Sequence, residues 1–187
     1  MILTVAQLKL FGDSVIFVSI VLLIYNLASL ATTDPDAFQP QVFWKTFLAY
    51  VNNFIVVFFY WVFFSNLLNH VKHLNLLLIL TSLIFLILVT LAPVISVALR
   101  QHIIEEWKYF LVQIPAGLLL FLMFLYLRKD KASNPFSDDK NIKYELCVIP
   151  LTYAISLFMS FFNSTISQLI PFSILPLFVL IRIKSHK

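Results

Sequence analysis

Five stretches of the chain contain no Asp, Glu, Lys, Arg or His: residues 14–33, 46–69, 74–99, 109–127 and 146–181. A helix needs roughly 20 apolar residues to cross a bilayer, so each of the first four predicts one span. The fifth is too long for one span without a large mismatch. "FFNSTIS" (Phe161–Ser167) interrupts it with Asn163, Ser164 and Thr165, which predicts two short spans and a tight turn. The expectation is an all-α, polytopic membrane protein: one transmembrane domain over 1–187, with helices at about 10–31, 42–69, 74–99, 104–127, 144–162 and 166–183.

Composition agrees: of 187 residues, 61% are hydrophobic and 12% charged. One soluble core of this size cannot bury that much apolar surface, whereas a lipid bilayer accepts it. Charge placement tests the number of spans. With the N-terminus inside, six spans put Lys9, Lys72, Arg128, Lys129, Lys131, Lys140, Lys143, Arg182, Lys184 and Lys187 on the cytoplasmic side. Lys45, Arg100 and Lys108 fall outside. Ten against three is the positive-inside bias; five spans would leave seven against six and no bias. Both termini are therefore expected in the cytoplasm. The net charge of +4 is a topology signal, and no basic patch is shaped for nucleic acid. Asp13 and the same tally argue against a signal peptide cleaved after Ser29-Leu30-Ala31, and the single Cys147 excludes an internal disulfide.

The connections are short. "TTDPDAFQP" (Thr32–Pro40) is an acidic turn, "QHIIEEWKY" (Gln101–Tyr109) has the mixture of an interfacial belt, and "RKDKASNPFSDDKNIK" (Arg128–Lys143) is the longest polar linker. Pro93, Pro115, Pro150, Pro171 and Pro176 predict kinks or span ends. With only Gly12 and Gly117, GxxxG-type helix contacts are impossible.

The first helix carries the most chemistry. At 100° per residue, Ser14, Val18, Leu22, Tyr25 and Ser29 fall within about 80° of one another. Hydroxyls at both ends of a bulky apolar middle suit a water-filled pathway with a hydrophobic constriction, which blocks ions by dewetting. The same stripe also suits plain packing on a neighbour. Asp13 points elsewhere, roughly 140° away, and an expected start near residue 10 puts it in the first helical turn, where free N–H groups favour a carboxylate. Trp61, with Ser65 and Asn66 beside it, returns on the second helix to the same side of the membrane. The indole N–H is a donor only, which predicts a structural Asp13–Trp61 contact; an ion-coupling carboxylate is the competing reading.

Other constellations are weaker. "HVKH" (His70–His73) has helical ligand spacing but no further ligands nearby, so it reads as a basic turn. His102 and Glu105 lie one turn apart without a matching motif on another helix. The apolar runs offer no nucleophile paired with a base, so no enzyme is expected, nor any metal or cofactor. A glycine-rich carbonyl filter and an Arg-rich voltage-sensing helix are both missing from the sequence. A chain this short forms a pore only between copies.

The start of the first helix resembles the R-x-x-x-F-S-D signature of the transmembrane-protein-175 potassium channels. Phe11, Gly12 and Asp13 take the last three places and Gln7 the first. The likeness continues through Tyr60-Trp61, "SLIFLILVTLAPVISVAL" (Ser82–Leu99) and "FNSTISQLIPFSILPLF" (Phe162–Phe178). The departures are Gln7 for arginine, Gly12 for serine, Phe64 and Ser65 for paired histidines, and Thr81 for an asparagine. "FSD" also stands at Phe136–Asp138, in the charged linker, where it opens no membrane helix.

The resemblance implies a homotetramer in a bacterial inner membrane. Its first helices would line a pathway for potassium or other monovalent cations, narrowed at Val18, Leu22 and Tyr25. It makes Ser14 and Ser29 candidate pore hydroxyls, and gives Asp13 with Trp61 the task of holding the first helix against the second. A secondary transporter and a non-conducting membrane scaffold are the alternatives; the first would call for repeated halves, of which the sequence has none.

Overall fold

The computed structural model describes residues 4–31, 40–71, 74–100, 106–129 and 142–185. The acidic loop 32–39, residues 72–73 of the histidine turn, His102 and Glu105, and the linker 130–141 lie outside the described residues. All regular structure among the described residues is helical. The elements are α1 (Val5–Ala31), α2 (Pro40–Asn69), α3 (Leu76–Arg100), α4 (Glu106–Lys129), α5 (Ile142–Ser160), α6 (Ser164–Leu169) and α7 (Ile174–Ser185), with one 3₁₀ turn at Ile170–Ser173 between the last two. Four of them, α1 to α4, are long and apolar enough to span a membrane, and the apolar part of α5 is shorter.

α1 starts five residues earlier than the apolar run suggests, because Thr4 and Gln7 cap it. The Gln7 backbone N–H donates to Thr4 Oγ1 at 3.2 Å and the Thr4 N–H to Gln7 Oε1 at 2.9 Å. This reciprocal T-x-x-Q arrangement satisfies two of the donors that a helix start leaves open. Asn75 caps α3 through the N–H of Leu78 at 2.8 Å. Asn163, the polar break expected in the fifth run, caps α6 through the N–H of Ile166 at 3.1 Å.

Prolines act differently from one helix to the next. α3, α4 and α5 run on through Pro93, Pro115 and Pro150. Pro171 lacks the N–H that would continue α6 and sits in the 3₁₀ turn, so the sixth expected helix comes in three pieces. Pro176 is tolerated in the first turn of α7, where an N–H has no helical partner anyway.

α1 packs on α2 and α3, α4 lies between α3 and α5, and α6 and α7 fold back on α5. Water does not drive helices together inside lipid, so close packing must do so. Aromatic rings do much of it here. Phe64 stacks on Phe85 with centroids 5.2 Å apart, Tyr60 meets Phe85 edge-on at 5.5 Å, and Phe178 of α7 stacks on Phe59 of α2 at 4.3 Å. The second tight joint uses a glycine. A Cβ on Gly117 of α4 would stand 2.9 Å from Cδ and 3.2 Å from the backbone nitrogen of Pro150 on α5, so only glycine admits the proline ring there.

Candidate functional site

α1 is the least enclosed of the four spans: 28% of its most apolar stretch is buried, against 50%, 39% and 44% for α2, α3 and α4. Leu8, Gly12, Ile16, Ser19 and Leu23 form its buried stripe, a wedge of roughly 80° at 100° per residue. The opposite side is open across roughly 160°. Val18, Leu22 and Tyr25, the residues expected at a constriction, are 53%, 39% and 70% exposed and lie on that open side. Ser14 joins them, its Oγ donating back to the Leu10 carbonyl at 2.8 Å. The hydroxyl proton is thus held within the helix, and the oxygen lone pairs stay available as acceptors. Ser29 is on the last turns of α1, and its side chain lies outside the described ones.

Periodicity does not single out Phe17, Val21 and Ile24, which share the open side. In a helix that is apolar almost all round, spacing gives no reason to separate them from the core.

The other half of the site is the seam between α1 and α2, which run antiparallel. Three contacts are strung along it. Lys9 Nζ donates to Asn69 Oδ1 at 2.7 Å. Gly12 faces Phe64, and a Cβ at position 12 would stand 2.4 Å from Phe64 Cε1. Trp61 Nε1 donates to Asp13 Oδ1 at 2.8 Å. Trp61 is 38% exposed, so this bond lies at the edge of the bundle.

Two expectations change here. Asp13 is more than two turns inside α1, because Thr4 and Gln7 start the helix early; its carboxylate is met by the indole N–H and not by the free donors of a first turn. Gly12 and Phe64, read as separate departures from a family pattern, are in contact with each other: the missing Cβ makes room for the ring.

His70 turns back on its own helix, its Nδ1 2.7 Å from the Asn66 carbonyl. A carbonyl only accepts, so Nδ1 carries the proton in this contact.

The chain matches the family model of the endosomal/lysosomal potassium channel TMEM175 over residues 7–93, from the capping glutamine to the proline of α3. A solved structure, that of a lysosomal potassium-selective channel TMEM175 homolog from Chamaesiphon minutus, shares the fold: TM-score 0.74, 16% identity, 98% of each chain covered. No curated protein sequence matches the chain.

Proposed function

We propose that this chain, which matches the TMEM175 family model over residues 7–93, is a member of that family and a potassium channel assembled from several copies around α1. The observation that carries the reading is the open side of α1. A single protomer leaves Val18, Leu22 and Tyr25 uncovered while the opposite stripe is buried against α2 and α3. Symmetric assembly brings such a face to a common axis, and the family resemblance makes four the expected number of copies.

In this reading cations pass along α1 and meet a ring of apolar side chains at Val18, Leu22 and Tyr25. A narrow apolar ring empties of water and stops ions, so its side-chain volume sets the conductance. Ser14, with its proton held by the Leu10 carbonyl, turns lone pairs toward the pathway, the polarity that a potassium ion accepts. Ser29 supplies a hydroxyl beyond the constriction. Asp13 and Trp61 keep α1 seated on α2, so that the constriction holds its register. Both termini are cytoplasmic, in a cell membrane that is the bacterial inner membrane.

Planar-bilayer recording of the purified protein tests this. Unitary currents whose reversal follows the potassium gradient against sodium are expected. Leu22→Ala raises the unitary conductance, and Asp13→Ala lowers the yield of assembled protein. Currents indifferent to the size of residue 22 would take the constriction away from Leu22. No currents at all would leave a non-conducting membrane subunit, and saturating uptake without unitary currents a transporter.

A further inference from the structure

Away from α1, the core between α2, α4 and α5 holds polar side chains that neither the fold nor the proposed pathway uses. Asn52 and Asn53 lie about three turns into α2, Tyr109 and Gln113 in the first two turns of α4, and Tyr153 about three turns into α5. All five are more than nine-tenths buried. One bond accounts for part of the set, the Tyr109 hydroxyl donating to Asn53 Oδ1; beside it the Tyr60 hydroxyl donates to the backbone carbonyl of Gln113 at 2.9 Å. Each phenol has one proton to give, and both are now committed.

Three atoms remain. Asn52 Oδ1, Gln113 Nε2 and the Tyr153 hydroxyl have no partner among the described residues. A fourth such atom, Ser82 Oγ, is on α3. The three belong to one neighbourhood. The Tyr109 ring lies 6.0 Å from that of Tyr153, the Tyr109 hydroxyl faces Tyr153 and Gln113, and Tyr153 faces Asn52. By distance and angle, none of the three unmet atoms completes a hydrogen bond within this group. Inside a membrane no bulk water reaches such atoms, so leaving them unmet is costly.

We infer that Asn52, Gln113 and Tyr153 hold one buried water molecule that joins α2, α4 and α5. The donor and acceptor types select water over other small ligands. Asn52 Oδ1 only accepts, Gln113 Nε2 only donates, and the Tyr153 hydroxyl does either. A water molecule donates to the first, receives from the second and completes its usual three bonds with the third. A potassium ion fits worse, since Gln113 presents N–H groups to it and none of the five side chains carries a charge to balance it.

The test is a crystal structure of the full chain grown in a lipid mesophase, at a resolution that shows ordered solvent, determined in potassium and again in thallium. A solvent peak within about 3 Å of all three atoms, with no anomalous thallium signal, is the expected result. Thallium at the peak would make the site a cation site and overturn the water. So would direct bonds between the three side chains, with either amide turned over and no solvent between them. Tyr153→Phe removes one of the three bonds without leaving a gap in the packing. It is expected to lower the melting midpoint by roughly 2–4 °C while unitary conductance stays unchanged; an unchanged midpoint counts against the water. Conductance reports on α1 and the midpoint on this joint, so the two proposals fail separately.

Discussion

Both glycines of the chain sit where two helices touch, yet the two seams are built differently. At the α4–α5 seam Gly117 lies against the ring and backbone of Pro150, groups that cannot move aside. Around it are buried residues of two enclosed helices, Ala116 and Leu120 on one side and Ile149 and Tyr153 on the other. At the α1–α2 seam Gly12 receives only the edge of the Phe64 ring, and the remaining ties are two side-chain hydrogen bonds near the surface. The first seam belongs to a frame. The second, together with the packing of α1 on α3, holds one helix by a single buried stripe and leaves its open side free for other copies of the chain or for lipid.

The largest effect should come from the frame. Gly117→Leu drives a branched side chain into Pro150, and overpacking of an unyielding site costs about 3 kcal/mol or more. Loss of monodisperse protein in size-exclusion chromatography is expected. A well-folded variant would mean that α4 and α5 are free to separate, and the contrast between the seams would fail.

Gly12→Ala comes next. Two terms oppose each other: alanine gains about 1 kcal/mol in helix propensity, and the overlap with Phe64 costs roughly 1–3 kcal/mol. The ring is fully buried and stacked on Phe85, so it gives way poorly and the overlap wins. The melting midpoint should fall, and adding Phe64→Leu to Gly12→Ala should recover part of the loss. Without that recovery, the cost at position 12 does not come from the ring.

Trp61→Phe keeps an aromatic side chain and removes only the donor to Asp13. A bond to a charged group at a half-exposed place is worth about 1 kcal/mol, so a small drop in the midpoint is expected, with a larger drop in oligomer yield if the tie sets the position of α1. Lys9→Met, which breaks an exposed bond to Asn69, should change stability by no more than about 0.5 kcal/mol. A larger loss there than at Trp61 would reverse the ranking of the ties along this seam.

What could be read in the sequence divides along the same line. The four long apolar helices were legible because charged residues cannot be left in hydrocarbon, and the break at Asn163 because Asn-Ser-Thr both interrupts an apolar run and caps the next helix. The face of α1 bearing Ser14, Val18, Leu22 and Tyr25 was legible because a helical period needs no partner to be seen. The start of α1 was missed although its signal is local: Thr4 and Gln7 form a capping box, but both precede the apolar run that guided the boundary. The fit of Gly12 to Phe64 had no local signal. Fifty-two positions separate them, and only the antiparallel register of α1 and α2 brings them together. The set formed by Asn52, Gln113 and Tyr153 was hidden for the same reason, though single polar residues inside apolar spans are the cue to look for.

The match of Gly12 to Phe64 also constrains how this protein can change. Any other amino acid at position 12 brings a Cβ into the space that the ring fills. A serine arriving at 12 first meets the ring, whereas shrinking Phe64 first opens a void against Phe85. Each order passes through a weakened intermediate, so substitutions at 12 and 64 are expected to be tolerated best together.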